Sequence, residues 1–470
     1  MDFSIVGIAV VAGASLILQA QFSKYRLSIM ITVSTALLIW TTSTTNATMI
    51  DILSAVPWSV IVLLTCLGVY SKVLARTGVF QKLAVGVSEA ARGSGDRLLF
   101  LSCGLLYVVS CFVNNLAAML LVLPIVFEVL RAIGGPRNFR FVLLGLLIPA
   151  CNLGGAATPI GDFPALLLLS QGKIHFGPYL ASAGSICTIV VALLISLVWL
   201  RVRQSTLRRV RLTEVESRVL IDTMRAKYSG LRLDIPLLTI AAVVLGLMLF
   251  CWWGAWLSPE LVAMLGVSLL IAGFLALTSA RNPRRESVLK GLDTLYRRIR
   301  STRRDPDALH GLIEAVPILF FTSLFLIVGC VQESGFLILA SDFLEVGLGN
   351  PQLQFVVLIL VISLVSALFS AGPGMALAIP VVDSVLPGLP AAPENDVYVA
   401  VALAICAGSC FFLSSATAGP ILQRENEMDV RLRGQPDEAH FGLNYVLRTG
   451  IFAYFVVLAA ALTWTFTRVL

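Results

Sequence analysis

Apolar residues gather in long stretches near 3–20, 28–42, 56–74, 98–130, 141–170, 178–200, 235–253, 259–280, 315–332, 353–386, 397–422 and 446–467, and polar residues collect between them. A stretch of about 18 or more apolar residues spans a hydrocarbon core roughly 30 Å thick as a helix. Most of these runs predict one crossing each. The run 98–130 would be about 50 Å long as a single helix, and Asn114-Asn115 interrupts it. It predicts a re-entrant hairpin with its turn near mid-membrane, where irregular backbone is tolerated only against protein or a watery cavity. The runs 141–170 and 397–422 read as helices broken by glycine and proline, and 353–386 as a second hairpin.

The basic residues order these elements, because Lys and Arg collect in cytoplasmic loops. Both flanks of 98–130 are basic (Lys72, Arg76, Lys82, Arg92 and Arg97 before it; Arg131, Arg137 and Arg140 after it), so this hairpin enters from the cytoplasm. The flanks of 353–386 carry no base, which brings the second hairpin in from outside. Nine basic residues lie between Arg201 and Arg232 and nine between Arg281 and Arg304. Both clusters read as cytoplasmic loops that enforce orientation or touch anionic lipid headgroups. The N- and C-termini then lie outside, and only Lys173 and Arg468 of the 34 basic residues fall on that side.

Composition agrees with a membrane solvent. Of 470 residues, 58% are hydrophobic and 13% charged, against about 25% charged in soluble domains. That excludes a soluble enzyme, a nucleic-acid binder, a disordered chain and an outer-membrane barrel. The nine Cys have no metal-ligand spacing and read as free buried thiols. The first run follows an acidic residue, where a signal peptide carries bases, and reads as a retained helix of a plasma (inner) membrane protein.

The two hairpins align without a gap, VSCFVNNLAAMLLVLPIVFEVL (109–130) on VSALFSAGPGMALAIPVVDSVL (365–386). Three further anchors keep the order: AVP at 55–57 and 315–317, LARTGVF (74–80) echoed by VQESGFL (331–337), and Ala157-Thr158 after Cys151 echoed by Ala416-Thr417 after Cys410. The expectation is an all-α polytopic membrane protein of two inverted-topology repeats, each with about five transmembrane helices, a re-entrant hairpin and a broken helix. Residues 1–201 form the first repeat, 202–234 a basic cytoplasmic linker, and 235–470 the second, which includes a basic loop at 281–311.

Secondary transporters bind substrate where such repeats meet, at exposed backbone and half-helix ends. The candidate substrate- and ion-binding residues are Ser110, Asn114 and Asn115 at the first tip, and Asn152, Gly154, Gly155, Thr158 and Asp162 in the first broken helix. Their counterparts are Ser366, Ser370 and Gly372, then Ser414, Ser415 and Thr417. In the first broken helix, Gly154, Gly155, Pro159 and Gly161 are expected to end one half-helix and start another. Asp162 either trades Na⁺ for a proton or caps the half-helix FPALLLL; the two roles are compatible. Asn114 and Asn115 either line the cavity or cap the turn. His175, His310 and His440 all read as loop residues, which leaves no intramembrane histidine relay.

The motifs AVPW and LARTG, the hairpin S-x-F-V-N-N-L with its LPI, and above all NLGGAATPIGD-x-P resemble the ion transporter superfamily, in particular its arsenite permease and sodium/proton antiporter branch. Divalent anion/sodium symporters and citrate transporters are relatives within it. The likeness runs from about residue 50 to 467. It implies an elevator-type, often dimeric secondary transporter, with Asn114 and Asn115 at the first tip and Asn152, Gly154, Gly155, Thr158 and Asp162 in the first helix break. The second half departs from the pattern: Ser370-Ala371-Gly372 stands where relatives often have Asn or Asp.

The expected function is ion-coupled secondary transport, with Na⁺/proton antiport preferred over a permease for arsenite, citrate, a dicarboxylate or sulfate. The expected partners are a small ion, membrane lipid and a second copy of the chain. No cofactor is implied beyond Na⁺ or H⁺ as coupling ion. An intramembrane protease would need paired Asp, Ser with His or Lys, or HExxH in the bilayer, and the sequence has none of these.

Overall fold

In the computed structural model every residue is described except 1–2, 23–24, 55, 93, 134–136, 203–232, 282–314, 337, 340–348, 370, 390–391 and 433–440. The basic segments 202–234 and 281–311 therefore lie, apart from their ends, outside the described residues, as do Ser370, His310 and His440. Among the described residues every element is helical, and ten helices are long and apolar enough to cross a membrane. The first half comprises α1 (Phe3–Gln21), α2 (Arg26–Thr44), α3 (Met49–Ser54), α4 (Trp58–Arg76), α5 (Val79–Ala91), α6 (Gly95–Phe112), α7 (Asn115–Ile133), α8 (Arg137–Ala157), α9 (Phe163–Ser170) and α10 (Phe176–Val202). The second comprises α11 (Ile235–Trp253), α12 (Pro259–Arg281), α13 (Ala315–Glu333), α14 (Pro351–Phe369), α15 (Ala371–Val385), α16 (Glu394–Ser409), α17 (Gly419–Leu432), α18 (Phe441–Tyr445) and α19 (Ile451–Trp464).

One packing arrangement recurs in both halves. α6 lies across α8 at Gly154, where an added Cβ would come within 2.4 Å of the Tyr107 carbonyl oxygen; α14 lies across α16 at Gly408, where it would come within 2.2 Å of the Ser363 carbonyl oxygen. Only glycine permits backbones this close. A serine locks each crossing: Ser110 Oγ donates to Cys151 O at 2.8 Å, and Ser366 Oγ to Ile405 O at 2.8 Å. The halves also exchange helices. α2 packs on α13 of the other half, and α12 packs on α4.

This geometry shifts the internal alignment. Cys151 corresponds to Ile405, five positions before the Cys410 that sequence similarity favours. Small and apolar residues recur so often here that an alignment slips by several positions without losing matches, whereas the glycine crossing fixes the register. The hairpin register sets Ala371 against Asn115, and Ala418 stands ahead of α17 where Asp162 stands ahead of α9. The second half therefore repeats the backbone arrangement without the amide and the carboxyl.

Two ion-pair staples join the broken segments. Near the start of α8, Arg140 bonds Asp429 of α17 at 2.5 Å and Asn426 at 2.9 Å. Beyond α9, Lys173 contacts Asp383 of α15 at 2.8 Å and Glu394 of α16 at 3.7 Å, with the Tyr398 hydroxyl also donating to Asp383. Among the described residues, these contacts join segments that the charge pattern assigns to the same end of the bundle. Trp199 donates to Asp96 and the Asp234 N–H to Thr77 O at the end holding Arg140, while Trp464 donates to Asp396 O at the other. Residues 423–432, polar positions between the runs 397–422 and 446–467, extend α17, with Asn426 and Asp429 turned to the buried Arg140 rather than to water.

The staples differ in exposure: the Arg140 and Asp429 side chains are 3% and 1% exposed, those of Lys173 and Asp383 24% and 36%. Removing one partner of a buried pair costs about 3–5 kcal/mol, while a partly exposed pair contributes about 0–1 kcal/mol. Asp429→Ala is thus expected to lower the thermal unfolding temperature in detergent far more than Lys173→Ala. Equal losses contradict this assignment.

Candidate functional site

The first hairpin tip and the first helix break interlock. After α6 the backbone turns extended at Val113, and the Asn114 side chain accepts the Leu116 N–H at 2.9 Å, which starts α7. α8 ends at Ala157. Thr158 Oγ1 then donates to Cys111 O at 2.5 Å, tying the break to the tip, and Asp162 Oδ1 accepts the Phe163 N–H at 2.8 Å, capping α9. Gly154 and Gly155, expected within the break, stay helical, and the interruption spans Thr158 to Asp162. Their role is close packing. An added Cβ on Gly155 would lie 2.5 Å from the Asn115 amide and 2.8 Å from Asp162 Cβ, so this glycine makes room for the two polar groups side by side.

Ser110 Oγ lies against both Cys151 O, at 2.8 Å, and Asn115 Oδ1, and the fully buried Asn115 amide turns its NH₂ toward the Asp162 carboxyl. A carboxylate has about four lone-pair sites, so Asp162 keeps room for a cation or a proton beside these partners.

A small cavity adjoins Asp162. Asn152, Ala156, Asp162 and Tyr179 line it from the first half, Ala371, Ile405 and Ser409 from the second. Its volume is about 10 Å³, room for one water or a bare ion. Asn152 Nδ2 donates across the junction to Ser409 O at 3.0 Å. Ser366 lies one layer behind, on Ile405 O and near Ser409 Oγ. Ser415 closes the second break, donating to Phe412 O at 2.7 Å. Gly372 packs on the Phe163 ring, which stacks on Phe321 of α13 with centroids 4.4 Å apart.

The structure thus brings Ser110, Asn115, Asn152, Gly154, Gly155, Thr158 and Asp162 together, with Ser366, Gly372 and Ser415 behind the second-half wall. Asn114 is used as a cap, Ser414 is exposed and Thr417 half-buried. Tyr179, whose hydroxyl donates to Ala156 O at 3.0 Å, and Ser409 line the cavity without having been singled out from sequence. Tyr179 carries no sequence signal, whereas Ser409 is the small residue directly after the Gly408 crossing.

Residues 14–408 match the citrate transporter family, CitMHS, a span that contains both tips and the whole first break. The chain belongs to the citrate transporter family. Among its relatives, the magnetosome protein MamN of Magnetospirillum gryphiswaldense is 29% identical over 360 residues, 76% of this chain and 73% of that protein. The 46 kDa membrane protein of Mycobacterium leprae is 24% identical over 346 residues, 73% and 72% of the two chains. The YdaH transporter of Alcanivorax borkumensis, whose crystal structure was described as having an unusual topology, aligns over 88% of this chain and 85% of that one at 14% identity and a TM-score of 0.48. This member of the citrate transporter family is a multi-pass membrane protein and a secondary transporter.

The two tip asparagines should separate experimentally. Asn115→Ala is expected to raise the concentration of transported ion needed for half-maximal proteoliposome flux about tenfold, the worth of one hydrogen bond to a charged group. Asn114→Ala is expected to cost about 1 kcal/mol of stability as a lost cap without that change. Equal flux constants for Asn115→Ala and wild type contradict this division.

Proposed function

We propose that this transporter exchanges Na⁺ for protons, with Asp162 as the group that holds either ion. One observation carries the reading: Asp162 is the sole carboxylate, and no Lys or Arg stands with it, among the residues lining the small cavity between the halves. A carboxylate that takes Na⁺ releases its proton, and taking the proton back releases Na⁺, so one site performs exchange without a second charged group. The Asn115 amide stands beside it as a neutral hydrogen-bond partner. Alternating access follows in this proposal if the hairpins and broken helices move as one body, held by the two staples, against a scaffold built on α4 and α13. The proposal includes two inverted repeats, an elevator movement, a homodimer and the inner membrane with both termini outside.

Membership of the citrate transporter family favours a second reading, cation-coupled transport of citrate or another small carboxylate. The first residue of α15, Ala371, lines the cavity, and a helix N-terminus suits an anion. A volume near 10 Å³ accommodates the coupling ion alone, so citrate would enter in a more open conformation.

Proteoliposomes with an imposed pH gradient separate the two. Na⁺-driven collapse of the gradient, lost in Asp162→Asn protein that still inserts, is the expected result. Exchange of unchanged pH dependence in that variant removes Asp162 from the mechanism. Na⁺-dependent uptake of labelled citrate without proton counterflow replaces the first reading by the second.

A further inference from the structure

A second hollow shares no lining residue with the candidate transport site and lies on the flank that carries the bases of residues 72–97. Val79, Leu83, Gly86, Val87 and Ala90 present one face of α5 to it, Leu101 of α6 and Leu233 ahead of α11 form the other walls, and Lys82 stands at its rim. The spacing of the five α5 residues is that of one helix face. The hollow is open, almost wholly apolar and about 390 Å³ in volume, within the range of small-molecule pockets. An added Cβ on Gly86 would meet nothing within 4 Å, so the groove continues to the helix backbone. Water does not wet such a surface in a bilayer, and hydrocarbon does.

The charge around the groove selects among lipids. Lys72, Arg76, Lys82, Arg92 and Arg97 are exposed along this flank. The acids among them are Glu89 and Asp96, and Asp96 is engaged by the Trp199 N–H at 2.8 Å. A helix with an apolar face and a cationic rim lies in the interface of an anionic leaflet. The backbone is left-handed at both ends of α5, at Gly78 (φ 79°) and Arg92 (φ 45°), so the helix turns sharply away from α4 and again into α6. Those two turns set the direction of α5 relative to α4 and α6.

We propose that this groove seats one acyl chain of an anionic phospholipid, with Lys82 holding the headgroup phosphate. The site is independent of what the protein transports. It differs from a general basic surface, because it predicts a lipid retained by shape as well as by charge.

Native mass spectrometry of the full-length protein tests the proposal, after equilibration with equal amounts of phosphatidylglycerol and phosphatidylcholine. Wild type is expected to retain one phospholipid with about a fivefold preference for phosphatidylglycerol, the worth of a single juxtamembrane base. Lys82→Gln is expected to keep a bound lipid but lose most of that preference. Gly86→Trp, which fills the groove, is expected to lose the lipid whatever its headgroup. Leu83→Asp makes the wall polar without filling it and carries the same expectation, so the test stands if the Trp variant does not fold. Identical lipid retention and headgroup preference in wild type and all variants overturns the proposal. So does a shift in the monomer–dimer ratio of Gly86→Trp or Leu83→Asp at unchanged lipid retention, which would make the groove an interface between copies.

Discussion

Hydrocarbon offers no hydrogen-bond partner, so each interruption of a helix inside a membrane protein has to be answered by the protein itself. This chain interrupts its helices at the heart of the bundle and answers them with a small set of side chains. Thr158 and Ser110 bond carbonyls at the first tip and break, Asp162 satisfies the start of α9, and Asn114 the start of α7. In the second half Ser366, Ser415 and Tyr445 do the same for Ile405, Phe412 and Cys410. Polar groups are thus tolerated in a core that is otherwise mostly Leu, Val, Ala and Phe, and the candidate site grows out of them.

The two halves share this scaffold and differ in what they place on it. Glycine-on-carbonyl crossings and serine locks recur at Gly154 with Ser110 and at Gly408 with Ser366. The amide and carboxyl of the first half have alanines in the matching places of the second, Ala371 after the tip and Ala418 ahead of α17. A recurring packing arrangement thus carries a candidate site on one half. The charged site is lined on one side by polar groups and on the other by Ala371, Ile405 and the Ser409 backbone, which exclude water and raise the worth of each electrostatic contact near Asp162.

Much of the fold was legible because membrane solvent imposes strict rules on sequence. Run lengths mark the spans, Asn114-Asn115 interrupts an apolar run too long for one crossing, and Asp162 stands where a half-helix needs a cap. The rest depended on contacts between distant segments. Gly154 and Gly155 read as helix breakers because glycine signals a break and a close crossing alike. The alignment of Cys151 with Cys410 failed because five positions of drift cost a hydrophobic sequence nothing. Tyr179 gave no hint of its place, since a tyrosine in an apolar helix looks the same whether it faces lipid or a cavity. The polar stretch of α17 looked like loop because its burial partner, Arg140, is almost three hundred residues away.

The central claim is that Asp162 holds a proton or a sodium ion but not both. Titrating the purified protein with NaCl, below the pH at which this carboxyl ionises and in two buffers of different ionisation enthalpy, measures that competition directly. The account predicts release of about one proton for each Na⁺ bound, as linkage requires of a shared site, and loss of both signals in Asp162→Asn. Sodium binding without proton release, or binding that survives the substitution, would contradict it.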